Sequence, residues 1–303
     1  MFYQDVLNAG QGGMAQPLKQ PGSVGVVGLG LIGGSLALDL MALGWHVKGL
    51  VHRQVTADRA KARGLVHQVS LDPSILSSCE VILLAQPLQE LLQPDQNLVQ
   101  ALPQTAVVTD VGSVKTPVLK VWRALHPRFV GSHPMAGRSE AGVEAGLQGL
   151  FTGRPWIATP DAQTDRDALE QVHQLAVSLG SDWCTADAEI HDRSVALISH
   201  VPVLVSAALL RMVGDERDPE VRALSTRLAS TGFADTTRVG GGNPILGRAM
   251  AELNSEAILQ GLAGYRWSLE QLEQAVLAGH WAQLQLELER THALRPSFLK
   301  SKE

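Results

Sequence analysis

From residue 23 onward two hydrophobic patterns alternate along the chain. Residues 24–27 are a short β-branched run ending at Gly28, and residues 31–43 then read as a helix that Gly44 stops. A second strand is predicted over 46–51. Further apolar runs at 81–85, 106–111 and 129–133 are separated by helix-like segments. Alternation of this kind predicts an α/β fold with a Rossmann-type, doubly wound parallel sheet, and it places His133 at the tip of the strand expected over 129–133. A run at 155–159, a helix over 165–179 and a strand near 183–185 extend the same domain to about Asp187.

Beyond that point no strand-like run appears. In residues 254–278 the apolar positions Ile258, Leu262, Tyr265, Leu269, Leu272 and Val276 recur at spacings of four and three, the mark of a packing face. An intramolecular bundle and a subunit interface account for that face equally well. The expectation is an all-helical C-terminal domain that also serves dimerisation, making the protein a homodimer. The most apolar stretch, residues 195–213, is interrupted by His200, Pro202 and Arg211, so it is read as a buried core helix and not as a membrane span.

Composition fits this outline. A length of 303 residues suits two domains at about 150 each. The expected division is a flexible leader over 1–22, rich in Gln, Gly and Pro, a nucleotide-binding domain over 23–187 and a helical domain over 188–303. Thirty acidic against 25 basic residues give a net charge of −5, which offers no broad positive field to nucleic acid or an anionic membrane. The two cysteines, Cys79 and Cys184, form no disulfide framework and no metal-ligand spacing, so no metal is expected. No targeting segment opens the chain, and a cytoplasmic location is expected.

The chemistry begins at Gly28-Leu29-Gly30-Leu31-Ile32-Gly33, a G-x-G-x-x-G that follows a strand and opens a helix. In that context the first glycine makes a tight turn, the second admits a pyrophosphate, and the third lets helix and strand pack closely. The helix N-terminus, with Leu31 and Ile32 in its first turn, then faces the phosphates. At the end of the second strand, where NAD enzymes place a carboxylate for the ribose 2′-hydroxyl, this chain has His52, Arg53 and, slightly further on, Thr56. A guanidinium there suits a 2′-phosphate, so the expected cofactor is NADP. Gln86 and Pro87, after the run at 81–85, and Gly112-Ser113-Val114-Lys115, after the run at 106–111, lie where such sheets bind ligands and are candidate cofactor walls. His133 occupies a similar position and could act as hydrogen-bond partner or base for a hydroxyl undergoing oxidation.

The segments GLGLIGGS, TDVGSVK, GSHPMAG, HDRSVALISHVP and STGFADTTRVGGGNP, in this order, resemble the TyrA family of prephenate and arogenate dehydrogenases, and within it the cyanobacterial arogenate dehydrogenases, over about residues 23–290. The resemblance implies oxidative decarboxylation of a cyclohexadienyl acid, with hydride passing to the nicotinamide and carbon dioxide lost. It implies that His133 hydrogen-bonds the ring hydroxyl and takes its proton, that Ser113 contacts that histidine or the same hydroxyl, and that Arg238 holds a substrate carboxylate. Many prephenate-using members carry a further histidine where this chain has Val203, so the resemblance favours arogenate as substrate and tyrosine as product. His191 and His200 read mainly as structural or supporting groups. No room is expected for a fused mutase or regulatory segment.

Two other functions stay open on sequence grounds. A 3-hydroxyacid dehydrogenase would share the architecture but needs a lysine in the helical domain, and residues 188–299 contain none. A non-enzymatic NADP sensor would explain Arg53 but leaves Ser113 and His133 without a role.

Overall fold

The structure, a computed structural model, describes residues 22–138 and 140–298; all of the expected leader except Gly22 lies outside the described residues. By its internal contacts the chain divides into two units between His191 and Asp192.

The first unit opens with β1 (Ser23–Val27), α1 (Leu31–Ala42), β2 (His46–Leu50), α2 (Gln54–Ala62) and β3 (Gln68–Ser70). It continues through β4 (Val81–Leu84), α3 (Leu88–Leu92), α4 (Gln96–Ala101), β5 (Val107–Asp110), α5 (Thr116–Leu125) and β6 (Phe129–Val130). The six strands form one parallel sheet in the order β3-β2-β1-β4-β5-β6. The order reverses between β1 and β4, the point where open α/β sheets bind ligands. Val24, Val26, Val47, Leu83 and Val107 are buried with Leu36 and Leu40 of α1. Apolar residues cover much of α1 because it is sandwiched. One side lies on the sheet, while the connection after residue 134 crosses it, with Ser35 Oγ accepting from Leu147 N at 3.0 Å and Asp39 Oδ1 from Gly149 N at 2.9 Å.

The strand expected over 129–133 is in fact two strands. β6 ends at Val130, and residues 132–134 form β7 (Ser132–Pro134) in a second sheet. The cause is local: the Ser132 amide donates to the Asp110 side chain at 3.2 Å instead of to a backbone carbonyl of β5, so pairing with the large sheet stops there. β7 runs antiparallel to β8 (Pro155–Ala158), which pairs in parallel with β9 (Asp182–Thr185); α6 (Arg166–Ser178) connects β8 to β9. His133 therefore belongs to the small sheet, opposite Ile157.

After α7 (Ala188–Val195) and a π-type turn at Ala196–His200, the second unit is helical among the described residues: α8 (Val201–Gly214), α9 (Pro219–Leu228), α10 (Thr231–Thr237), α11 (Pro244–Leu253), α12 (Ser255–Leu277) and α13 (Trp281–Phe298). Its core is small, with Ala196, Val201 and Ile258 buried and Leu204, Val205 and Leu262 packed on them. Asn254 at the head of α12 donates to Asp192 O at 2.7 Å and lies 3.2 Å from His200 Nδ1, which accounts for a fully buried histidine.

Residues 195–213 are not the buried core helix expected from their composition. His200 and Ser206 are buried, but Leu197, Ile198 and Met212 are 61%, 60% and 66% exposed. Helices 188–214 together are long and apolar enough to cross a membrane by length and composition alone. The apolar stripe of α12 behaves similarly, buried at Ile258 and exposed at Tyr265, Leu269 and Val276.

Candidate active site

The fingerprint glycines have separate jobs. Gly28 has a positive φ of 90°, and a Cβ there would meet Ala85 O at 2.6 Å, so the β1 turn touches the end of β4. A Cβ on Gly33 would lie 1.9 Å from Gly28 O, which explains how α1 sits so close to its strand. Around Gly30 nothing lies within 4 Å, leaving open space beside the backbone. Gly30 is also the N-cap of α1 and brings no capping side chain, and the first turn carries no acidic residue. The free N–H groups there, together with the helix dipole, suit a pyrophosphate.

Next to this turn, Gln86 donates through Nε2 to Glu90 Oε2 at 2.9 Å, while its buried Oε1 has no hydrogen-bond partner. Pro87 starts α3 as its N-cap. At the end of β2, His52 and Arg53 are exposed and Thr56 is half-buried. Arg53 is the N-cap of α2, whose first turn is free of acidic residues, and no carboxylate pairs with it among the described residues. These features fit a dinucleotide: an open backbone cradle, an orphaned acceptor on the adjacent strand end, and a free cation where the ribose would lie.

The loop that carries Ser113 and the strand that carries His133 are tied together by a buried polar network that was not apparent from the sequence. Asp110, at the end of β5, and Lys115, before α5, are both fully buried and form an ion pair. Lys115 Nζ also donates to Ser132 O at 2.7 Å, and Asp110 Oδ2 accepts from Gly112 N at 2.8 Å. Ser132 Oγ donates to Asp110 O at 2.9 Å and accepts from Trp156 Nε1 at 3.0 Å. The network clamps the Gly112–Lys115 loop against β7, fixing Ser113 relative to His133. Burial pushes the Asp110 carboxyl above its ordinary value, opposed by the Lys115 ammonium and by the Gly112 and Ser132 amides. Ser113 Oγ is buried without a hydrogen-bond partner. A buried hydroxyl left without a partner is a candidate for a ligand contact. The available signal was a pair of charges, Asp110 and Lys115, bracketing a loop at the end of an apolar strand.

His133 is 9% exposed, and its Nδ1 lies 3.0 Å from Nε2 of His191, which is 1% exposed. Arg238 belongs to the second unit, where it is the exposed C-cap of α10. The following glycine loop is anchored by Gly240 N donating to Ser206 Oγ at 2.8 Å, and Asn243 caps α11 by accepting from Ile245 N at 2.9 Å. The segment TTRVGGGNP thus ends one helix, presents an arginine and starts the next.

Two family descriptions match in succession: prephenate dehydrogenase, nucleotide-binding domain, over residues 36–183, and prephenate dehydrogenase, dimerization domain, over residues 187–290. A cyclohexadienyl dehydrogenase of Zymomonas mobilis is 30% identical over 288 residues, which is 90% of this chain and 98% of that protein. Among solved structures, an arogenate dehydrogenase of Synechocystis is 39% identical with a TM-score of 0.78, covering 91% of this chain and 100% of that one. A prephenate dehydrogenase of A. aeolicus, in complex with hydroxyphenyl propionate and NAD+, is 28% identical with a TM-score of 0.86, covering 94% and 100%.

Proposed function

Because the chain belongs to the TyrA family of prephenate and arogenate dehydrogenases, we propose that it oxidatively decarboxylates L-arogenate to L-tyrosine with NADP. The observation that carries the mechanism is a nearly buried His133 on a strand that a buried network clamps to the loop carrying the orphaned Ser113 hydroxyl. His133 accepts the proton of the substrate's ring hydroxyl, and Ser113 orients that hydroxyl by hydrogen bonding. A bound nicotinamide would supply hydride acceptance from the carbinol carbon. As the carbonyl forms, the bond to the ring carboxylate breaks and carbon dioxide leaves; the electron pair of that bond passes through the ring to the carbonyl oxygen, which takes back the proton held by His133 and becomes the phenol of an aromatic ring. Aromatisation drives that step, so the residues need only orient the substrate and hold and return one proton. Arg238 is assigned to a substrate carboxylate.

Arg53 supports the choice of NADP, since an unpaired guanidinium suits a 2′-phosphate and would gain nothing from a 2′-hydroxyl. Val203 supports arogenate, because it brings no cation or donor for a pyruvyl side chain. A second reading, prephenate to 4-hydroxyphenylpyruvate, is favoured by relatives named prephenate dehydrogenase, one from Bacillus subtilis at 30% identity. Steady-state turnover on arogenate and prephenate, each with NADP and NAD, separates the readings: arogenate with NADP is expected to give the highest kcat/KM, and higher efficiency with prephenate overturns the substrate assignment.

The exposed apolar faces of α8 and α12 further support a homodimer through the helical unit, since patches of this kind mark association surfaces. Light scattering after size-exclusion chromatography is expected to give twice the chain mass, and a monomer at micromolar concentration overturns the dimer.

A further inference from the structure

We propose that His191 is a positioning residue that fixes the ring tautomer of His133, an inference that rests on His133 being the proton acceptor. The small sheet brings the two together. His133 on β7 lies opposite Ile157 on β8, which lies opposite Cys184 on β9, and β9 leads directly into α7. Asp187 starts α7 by accepting from Glu189 N at 2.8 Å, and His191 follows within the first turns, its amide bonded to Asp187 O at 2.8 Å. The two rings meet edge to face, with centroids 5.3 Å apart and planes at 73°, and His133 Nδ1 lies 3.0 Å from His191 Nε2.

At that separation one proton lies between the two nitrogens, because two facing lone pairs repel and two facing N–H groups clash. If His191 donated, neutral His133 would carry its own proton on Nε2 and could not accept another there. The productive arrangement has His133 Nδ1–H donating to His191 Nε2, with the His133 Nε2 unprotonated so that it can accept from the substrate hydroxyl. When the hydroxyl proton moves to Nε2, His133 becomes an imidazolium, and its bond to His191 becomes charge-assisted without any proton crossing it. The interaction strengthens as the reaction proceeds, so it favours the transition state over the bound substrate.

The test uses the full chain and two independent readouts. Nitrogen-15 spectra of the histidine-labelled protein, with the His133 signals assigned by their loss in His133→Asn, are expected to show the Nδ1–H tautomer. In His191→Leu that signal is expected to shift toward Nε2–H. Kinetically, His191→Leu is expected to lower kcat by about 10- to 100-fold with substrate KM changed by less than about twofold. His191→Gln, whose side-chain oxygen can take the place of Nε2, is expected to recover at least about tenfold of that loss, while His191→Asn, too short to reach, is not. An Nε2–H tautomer in the wild-type protein overturns the proposal even if every variant misfolds. Wild-type kcat in a folded His191→Leu, or equal kcat in the Gln and Asn variants, also overturns it. Should His133→Asn retain wild-type turnover, the reading of His133 as proton acceptor fails instead, independently of the tautomer result.

Discussion

The six-stranded sheet and the small sheet β7-β8-β9 equip the first unit in different ways. At the large sheet the binding features are mostly backbone: the Gly28 turn, the open space at Gly30 and the uncapped start of α1. At the small sheet they are side chains: His133, His191 behind it, and Ser132 within the polar network. Backbone geometry can be shared by any dinucleotide enzyme, whereas the proton-accepting role proposed for His133 belongs to one place and one reaction. Substitutions around the large sheet should therefore change how tightly the cofactor binds, and those on the small sheet how fast the reaction runs. Asp110 and Lys115 join the two sheets, and a change there should affect both.

The sharpest way to break this division is His133→Asn. Turnover is expected to fall about 10² to 10⁴-fold with little change in KM for the cofactor, measured by steady-state NADPH formation. A mainly cofactor-binding defect would place His133 with the large sheet. Next comes Lys115→Met, which removes one partner of a fully buried ion pair and should cost about 3 kcal/mol of stability, read from the urea midpoint. The cost falls at the low end for such pairs because burial already raises Asp110, which can take up a proton in place of remaining as a bare charge. Combining Lys115→Met with Asp110→Asn should recover part of the loss; no recovery would mean that the clamp depends on more than the pair. The smallest effect belongs to exposed Arg53. Its replacement by Ala should raise KM for NADP about tenfold and leave KM for NAD within about twofold, with kcat unchanged for both. Equal effects on the two cofactors would remove the 2′-phosphate assignment.

Much of the large sheet could be read from the sequence, because its strands are short apolar runs and its first helix stops at a glycine. Gly44, just past α1, has positive φ. β3 was missed, since Gln68–Ser70 is three residues long and has no apolar run. The split between β6 and β7 was also hidden. The pattern over 129–133 is one run, and what ends its pairing is a side chain 22 residues earlier, Asp110. Tertiary hydrogen bonds of this kind leave no local periodicity. His133 and Ser113 were legible from their motifs, but the contact between His133 and His191 spans 58 residues and two elements, so His191 looked like an ordinary buried histidine. The helical unit misled in another way. Residues 195–213 have the composition of a core helix, yet much of their apolar surface lies open in a single chain, because apolar content does not distinguish a core from an association face.

The central claim is that this TyrA-family chain is an NADP-linked arogenate dehydrogenase. The most direct measurement is kcat/KM of the purified wild-type protein on arogenate and on prephenate, each with NADP and with NAD. The account predicts the highest value for arogenate with NADP, with tyrosine and carbon dioxide formed in equal amounts to NADPH. A higher value for prephenate, or for NAD with either substrate, would contradict it.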